Sequence, residues 1–346
     1  MCLICEGKSL KGLKCLEVCH VVSKVPELPQ SLKELYCSEC PVLTTLPELP
    51  KSLTRFSCSK CPLLITLPEL PQSLTYLYCS NCPLLTTLPE LPQSLTQLYC
   101  SNCPLLITLP ELPQSLTHLD CSNCPLTTLP KLPKSLTHLN CFNFPLLTTL
   151  PELPKSIRYF DCHNCHVLIA LPKLPKSLTQ LNCSNCPLLT ALPELPKSLI
   201  WLDCYSCPLL TTLPKLPQSL IHLEWFDCPL LTTIPELPKS LMWLDCFDCP
   251  LLTTIPKLPH SLIHLRCYNC PNLIFIPENA KKYISSDLLK TINSNYLKWR
   301  KEQTLKWFSS THGIVYEDLI RKTWHPSRII DWCWDTEEVK WFKSLQ

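Results

Sequence analysis

The chain has 346 residues, with 31 Lys or Arg against 28 Asp or Glu, and a net charge of +3 gives no electrostatic basis for binding nucleic acid or an anionic membrane. Only 3 Gly stand against 37 Pro, which excludes a Gly-rich phosphate loop and, without a G-x-y period, a collagen helix. No run approaches the roughly 18 apolar residues that cross a bilayer, and 27 Cys in such a chain are expected to stay mostly reduced, inside a cell.

The N-terminus, MCLICEGKSLKGLKCLEVCHVV, has no basic n-region, and Glu6, Gly7 and Lys8 interrupt its apolar start, so it is not read as a secretory signal. Acylation of Cys2 or Cys5 has no other membrane feature to accompany it. Residues 1–24 read as a degenerate repeat in which Leu10, Leu13 and Cys15 keep the spacing of Leu32, Leu35 and Cys37. An atypical end unit of this kind covers the first open layer of a repeat core.

Twelve fuller units fill residues 25–275 and open at Val25, Leu46, Leu67, Leu88, Leu109, Leu129, Leu150, Leu171, Leu192, Leu213, Ile234 and Ile255. Each has 21 residues except the unit at Leu109, which has 20 because Cys124-Pro125-Leu126 runs directly into Thr127. One of the two leucines found there in the neighbouring units is therefore dispensable. Within a unit, Leu74, Leu77, Cys79, Cys82 and Leu84 give the pattern LxxLxCxxCxL. The segment Leu88-Pro89-Glu90-Leu91-Pro92 cannot be α-helical, since prolines three apart remove donors and fix φ near −65°. An extended, polyproline-like run is expected instead.

This pattern resembles the leucine-rich repeat, with Cys79 at the usual third leucine and Cys82 at the Asn or Cys position. Together with the prolines it is similar to the short LPxLP repeats of secreted bacterial effectors and to leucine-rich-repeat proteins of amoeba-infecting giant viruses. The resemblance implies a leucine-rich-repeat solenoid with parallel β strands on the concave face, an extended convex side and a small α-helical C-terminal cap. A viral source would place the chain in the cytoplasm of the host cell. On the convex side, Glu111, Lys131, Glu152, Lys173, Glu194, Lys215, Glu236 and Lys257 alternate in sign, so opposite charges are expected to stack side by side.

Residues 276–346 differ in composition and hold six of the nine Trp, namely Trp299, Trp307, Trp324, Trp332, Trp334 and Trp341. Leu289, Ile292, Tyr296 and Trp299 have helical spacing, with Ser286 as N-cap, and further helices are expected over 316–323 and 335–343. The segment reads as a Trp-rich cap on the last unit.

Three constellations could carry function. Cys-x-x-Cys recurs in most units, as Cys37/Cys40 or Cys100/Cys103, and each copy is locally a zinc half-site. In phase, however, both cysteines fall on core positions, and Phe144 and Trp225 replace a Cys in two units, which suits packing and not ligation. No metal or cofactor is expected. Cys333-Trp334-Asp335 matches a Cys-x-Asp triplet of effector ubiquitin ligases, but three residues in so short a tail make a ubiquitin-pathway thiol the alternative reading.

The concave face is the stronger candidate. By period-two alternation its early units present Thr54, Thr75, Thr96, Gln97, Thr117 and His118 with Tyr76, Tyr78 and Tyr99. From Leu199 the same positions become Ile200, Trp201, Asp203 and Tyr205, then Ile221, His222, Glu224 and Phe226, then Met242, Trp243, Asp245 and Phe247, then Ile263, His264, Arg266 and Tyr268. Aromatic and apolar groups studded with carboxylates are the composition of a protein-binding hot spot. A protein partner, host or viral, is expected there, with His118, His138, His222 and His264 as solvated face residues; the oligomeric state is not readable.

Overall fold

The computed structural model describes residues 3–277, 290–299 and 302. Its strands are β1 (Cys15–Glu17), β2 (Glu34–Tyr36), β3 (Arg55–Ser57), β4 (Tyr76–Tyr78), β5 (Gln97–Tyr99), β6 (His118–Asp120), β7 (His138–Asn140), β8 (Tyr159–Asp161), β9 (Gln180–Asn182), β10 (Trp201–Asp203), β11 (His222–Glu224), β12 (Trp243–Asp245) and β13 (His264–Arg266). They form one sheet in sequence order, and every neighbouring pair is parallel. Parallel neighbours need a long crossover. Here the proline-bearing return supplies it, and residues 3–277 contain no helix.

Three-residue strands bury their central side chain and turn the other two outward. Leu77, Leu98 and Leu119 sit side by side in register, and Leu77 and Leu98 have no exposed surface. Because no unit closes its own interior, each leucine is covered by the units before and after it. The cysteines complete this interior: Cys79, Cys82, Cys100 and Cys103 are fully buried, as are Phe144 and Trp225 where they replace a Cys. The second thiol of most pairs donates to the carbonyl of the first cysteine one unit earlier, as in Cys82 Sγ to Cys58 O at 3.2 Å and Cys124 Sγ to Cys100 O at 3.2 Å. A thiol used as a donor keeps its proton, which is the opposite of what a metal ligand needs.

Two further columns hold the units in register. Serines ahead of the strands donate to a leucine carbonyl one unit back, as in Ser94 Oγ to Leu74 O at 2.6 Å. Inside each Cys-x-x-Cys turn one residue adopts positive φ, for example Asn81 at 60°, Asn102 at 57° and Asn185 at 53°. Asn and Asp tolerate this left-handed conformation better than other residues with a Cβ, which explains why the turn so often reads Cys-Ser-Asn-Cys.

Several expectations are corrected. The retained leucine after the Cys-Pro step is the second of the two: Leu85 is fully buried and Leu84 is 39% exposed, so the pattern ends one residue later than LxxLxCxxCxL. In the N-terminal unit, β1 pairs Cys15 with Glu34 and Leu16 with Leu35. The core residues there are Leu16 and Val18, while Cys15 is exposed; taking Cys15 as the equivalent of Cys37 misplaces the register. The alternating convex charges form none of the ion pairs among the described residues, as expected for long side chains in water with little to gain from contact.

At the other end, residues 290–299 are helical. Ile292 is fully buried and Tyr296 nearly so in the core cluster that runs through the repeats, with Trp299 packed against it. Asn295 Nδ2 donates to Pro271 O and, at 3.1 Å, to Leu273 O, engaging carbonyls of the last unit. Leu289, Ser286, the expected helices at 316–323 and 335–343, and Cys333 lie outside the described residues.

Candidate functional site on the outward face of the sheet

In-register stacking turns each outward position into a column running across the sheet. The position just ahead of the strand holds Thr75, Thr96, Thr117 and Thr137 in the middle of the chain, and each hydroxyl donates to the carbonyl of the preceding member, at 3.0, 2.9, 3.0 and 3.0 Å. The column continues through Arg158 and Thr179 and then changes to Ile200, Ile221, Met242 and Ile263. These four are 41%, 38%, 39% and 67% exposed.

The first strand position becomes an alternation of indole and imidazole. Trp201 and His222 stack with ring centroids 3.5 Å apart, His222 and Trp243 at 5.6 Å, and Trp243 and His264 at 3.5 Å. Beyond the strands a second stack runs from Tyr205 through Phe226 and Phe247 to Tyr268, with spacings of 4.4, 4.2 and 4.5 Å. Both follow from the strand separation, about 4.8 Å, which sets flat rings near contact when like positions align. Between the two stacks lies the third strand position: Asp203, Glu224, Asp245 and Arg266.

The residues anticipated as a binding surface are therefore brought together, but they are not equally available. Trp201 and Tyr268 are 41% and 45% exposed, and Arg266 is also exposed. His222 is 7% and Asp245 2% exposed. The expectation that His222 is a solvated face residue is thus corrected: two indoles close over its ring. Both residues therefore present little surface outward. What the sequence reading missed was the Trp-His-Trp-His order at 201, 222, 243 and 264, the signal that would have placed His222 inside a sandwich.

The electrostatics follow from this partial burial. His222 Nε2 lies 3.1 Å from Glu224 Oε1 and 3.6 Å from Asp203 Oδ1. Burial pushes the Asp203 carboxyl up to about 6, with the Glu224 charge adding to the effect. Glu224 is raised chiefly by burial and then by Asp245. Burial lowers His222 even against the pull of Asp203 and Asp245. Burial thus disfavours the charged form of the imidazole, whose Nε2 lies within hydrogen-bond distance of the Glu224 carboxylate. On the neighbouring rung, Asp245 Oδ1 lies 3.1 Å from His264 Nε2, and Asp245 Oδ2 lies 3.6 Å from the Arg266 guanidinium.

Among the described residues, no helix is long and apolar enough to cross a membrane. No curated protein matches the chain. The family model described as Leucine Rich Repeat matches residues 73–95, 94–116, 115–139 and 177–199. Among solved structures, YopM from Yersinia enterocolitica WA-314 is 28% identical, covering 79% of this chain and 72% of its own, with a TM-score of 0.58. YopM from Yersinia pestis, a leucine-rich effector protein, is 34% identical over 76% of this chain and 70% of its own, with a TM-score of 0.50. The repeat period, the parallel sheet and these likenesses agree, and the chain belongs to the leucine-rich-repeat family.

Proposed function

We propose that the chain is a non-catalytic protein-interaction module that holds a protein partner on the concave face of β10 to β13. The observation that carries this reading is the exposed row of Ile200, Ile221, Met242 and Ile263, which replaces the self-satisfied threonines of the earlier units. Four consecutive large apolar groups left in water, bordered by Trp201, Arg266 and Tyr268, have the make-up of a hot spot with a polar rim. The solenoid supports this use, since its neighbour from Yersinia pestis is itself an effector. The LPxLP spacing and the likeness to giant-virus repeat proteins favour a host or viral protein as the partner, met in the cytoplasm of an infected cell. Residues 276–346 then serve to close the last unit, as Ile292 and Tyr296 already do.

Conversion of Ile200, Ile221 and Met242 to Thr tests the reading, because threonine is the residue the same column uses elsewhere. The variant is expected to keep its circular dichroism and to lose at least about tenfold in affinity for the main protein captured by the wild-type chain, as removal of hot-spot anchors does. Equal capture by the folded triple variant would remove the assignment.

A further inference from the structure

His222 and Glu224 project from one strand, and Asp203 stands beside Glu224 on the next. Their donor atoms all lie within 4.8 Å of one another. An ion bound at about 2.0–2.2 Å to tetrahedral nitrogen and oxygen donors separates those donors by roughly 3.3–3.6 Å, and the distances from His222 Nε2 to Glu224 and Asp203 are 3.1 and 3.6 Å. The imidazole is clamped between Trp201 and Trp243, so its Nε2 is fixed toward the carboxylates before anything binds, the preorganisation a ligand set requires.

An unsatisfied acceptor points the same way. Asp203 Oδ1 is buried and accepts no hydrogen bond, with His222 Nε2 3.6 Å away, whereas Asp245 Oδ1 has His264 Nε2 at 3.1 Å. The charge of Asp245 acts on both His222 and Glu224. A buried carboxylate oxygen without a donor, such as Asp203 Oδ1, is unfavourable, and a cation relieves it.

We propose that Asp203, His222 and Glu224 bind a divalent first-row transition-metal ion, with Asp245 supplying further negative charge behind it. One imidazole nitrogen with carboxylate oxygens suits zinc or manganese better than calcium, which takes six to eight oxygens. The buried thiols are not its ligands, since Cys207 Sγ donates to Cys183 O and Cys228 Sγ to Cys204 O. Glu224 and Asp203 keep partial exposure, so the outward side of the ion remains open to water or to a donor group of a bound molecule.

The inference is independent of the partner-binding reading, because it is measured on the isolated chain. The full chain, stripped with a chelator, is titrated with zinc(II) by calorimetry and with cobalt(II) by absorption spectroscopy. Expected are one equivalent of ion and cobalt bands without thiolate charge transfer. Glu224→Gln and His222→Gln, each verified as folded, should weaken binding at least about 10- to 100-fold, no less than loss of an outer-shell partner does. Asp120→Asn on β6, outside the cluster, should leave it unchanged. Absence of stoichiometric uptake by the wild-type chain, a thiolate–cobalt signature, or unchanged affinity in folded Glu224→Gln would each overturn the assignment. The cobalt spectrum of the wild type reads the donor set even if a variant fails to fold.

Discussion

In the units of β4 to β6, the residue ahead of the strand is Thr75, Thr96 or Thr117, and its hydroxyl is tied to the unit before it. In the units of β10 to β13 the same position holds Ile200, Ile221, Met242 or Ile263, none of which can make that bond, and all of which stand in water. Beneath them the two regions are alike: Leu98 and Leu202 have no exposed surface, and neither have Cys100 and Cys204. The difference teaches that interior and exterior columns are chosen separately. The framework fixes the buried positions in every unit and leaves the outward ones free to be polar and self-satisfied or apolar and unsatisfied.

Five substitutions bear on this contrast. The largest effect is expected in the shared interior, where Leu98→Ala and Leu202→Ala should each destabilise by about 2–5 kcal/mol. Denaturant unfolding should give similar losses for both, and a clear inequality would break the claim that the regions have one core. A smaller effect belongs to the threonine column. Thr96→Val removes the donor to Thr75 O at 2.9 Å and should lower stability by about 1 kcal/mol, whereas Met242→Thr should stay within about 0.5 kcal/mol, as surface changes do. Equal losses for the two would show that the threonine bonds contribute nothing. The smallest effect lies in the left-handed turn, where Ser206 has φ 51° in a position mostly held by Asn or Asp. Ser206→Asn should stabilise by roughly 0.5–1 kcal/mol, because an amide there can donate to Asn185 of the preceding unit, as Asn143 does to Asn123, in place of the bond Ser206 Oγ now gives Asp227 Oδ2 at 2.9 Å. A lower melting temperature for this variant would count against the conformational account of the turn.

The buried framework was legible because recurrence at 21 residues reports burial directly: the position of Leu98 holds Leu or Phe and that of Cys100 holds Cys or Trp in every full unit. Phe144 and Trp225 then showed that a buried site needs volume and not a thiolate. Leu84 and Leu85 were not separable, since two identical neighbours carry no pattern and only the outward turn of the chain exposes one. The N-terminal register slipped because Cys15 imitates Cys37 in type and spacing while β1 pairs it with Glu34. The burial of His222 was hidden for another reason: Trp201 and Trp243, which bury it, are each 21 residues away, beyond any local reading. Alternation of Glu111 and Lys131 was visible, but the flexibility of two long exposed side chains decides whether they meet, and sequence does not encode that distance.

The unit at Leu109 is one residue short, yet β6 and β7 pair Leu119 with Leu139 without a shift in the strand register. Its interior leucine, Leu126, remains fully buried, so the loss was absorbed at the outward position. A chain built this way can gain or lose whole units by unequal recombination between near-identical stretches, with every column simply lengthened or shortened by one rung. The height of the apolar row from Ile200 to Ile263 is then an evolutionary variable that copy number adjusts, while its chemistry is set by point mutation, and the two can change independently.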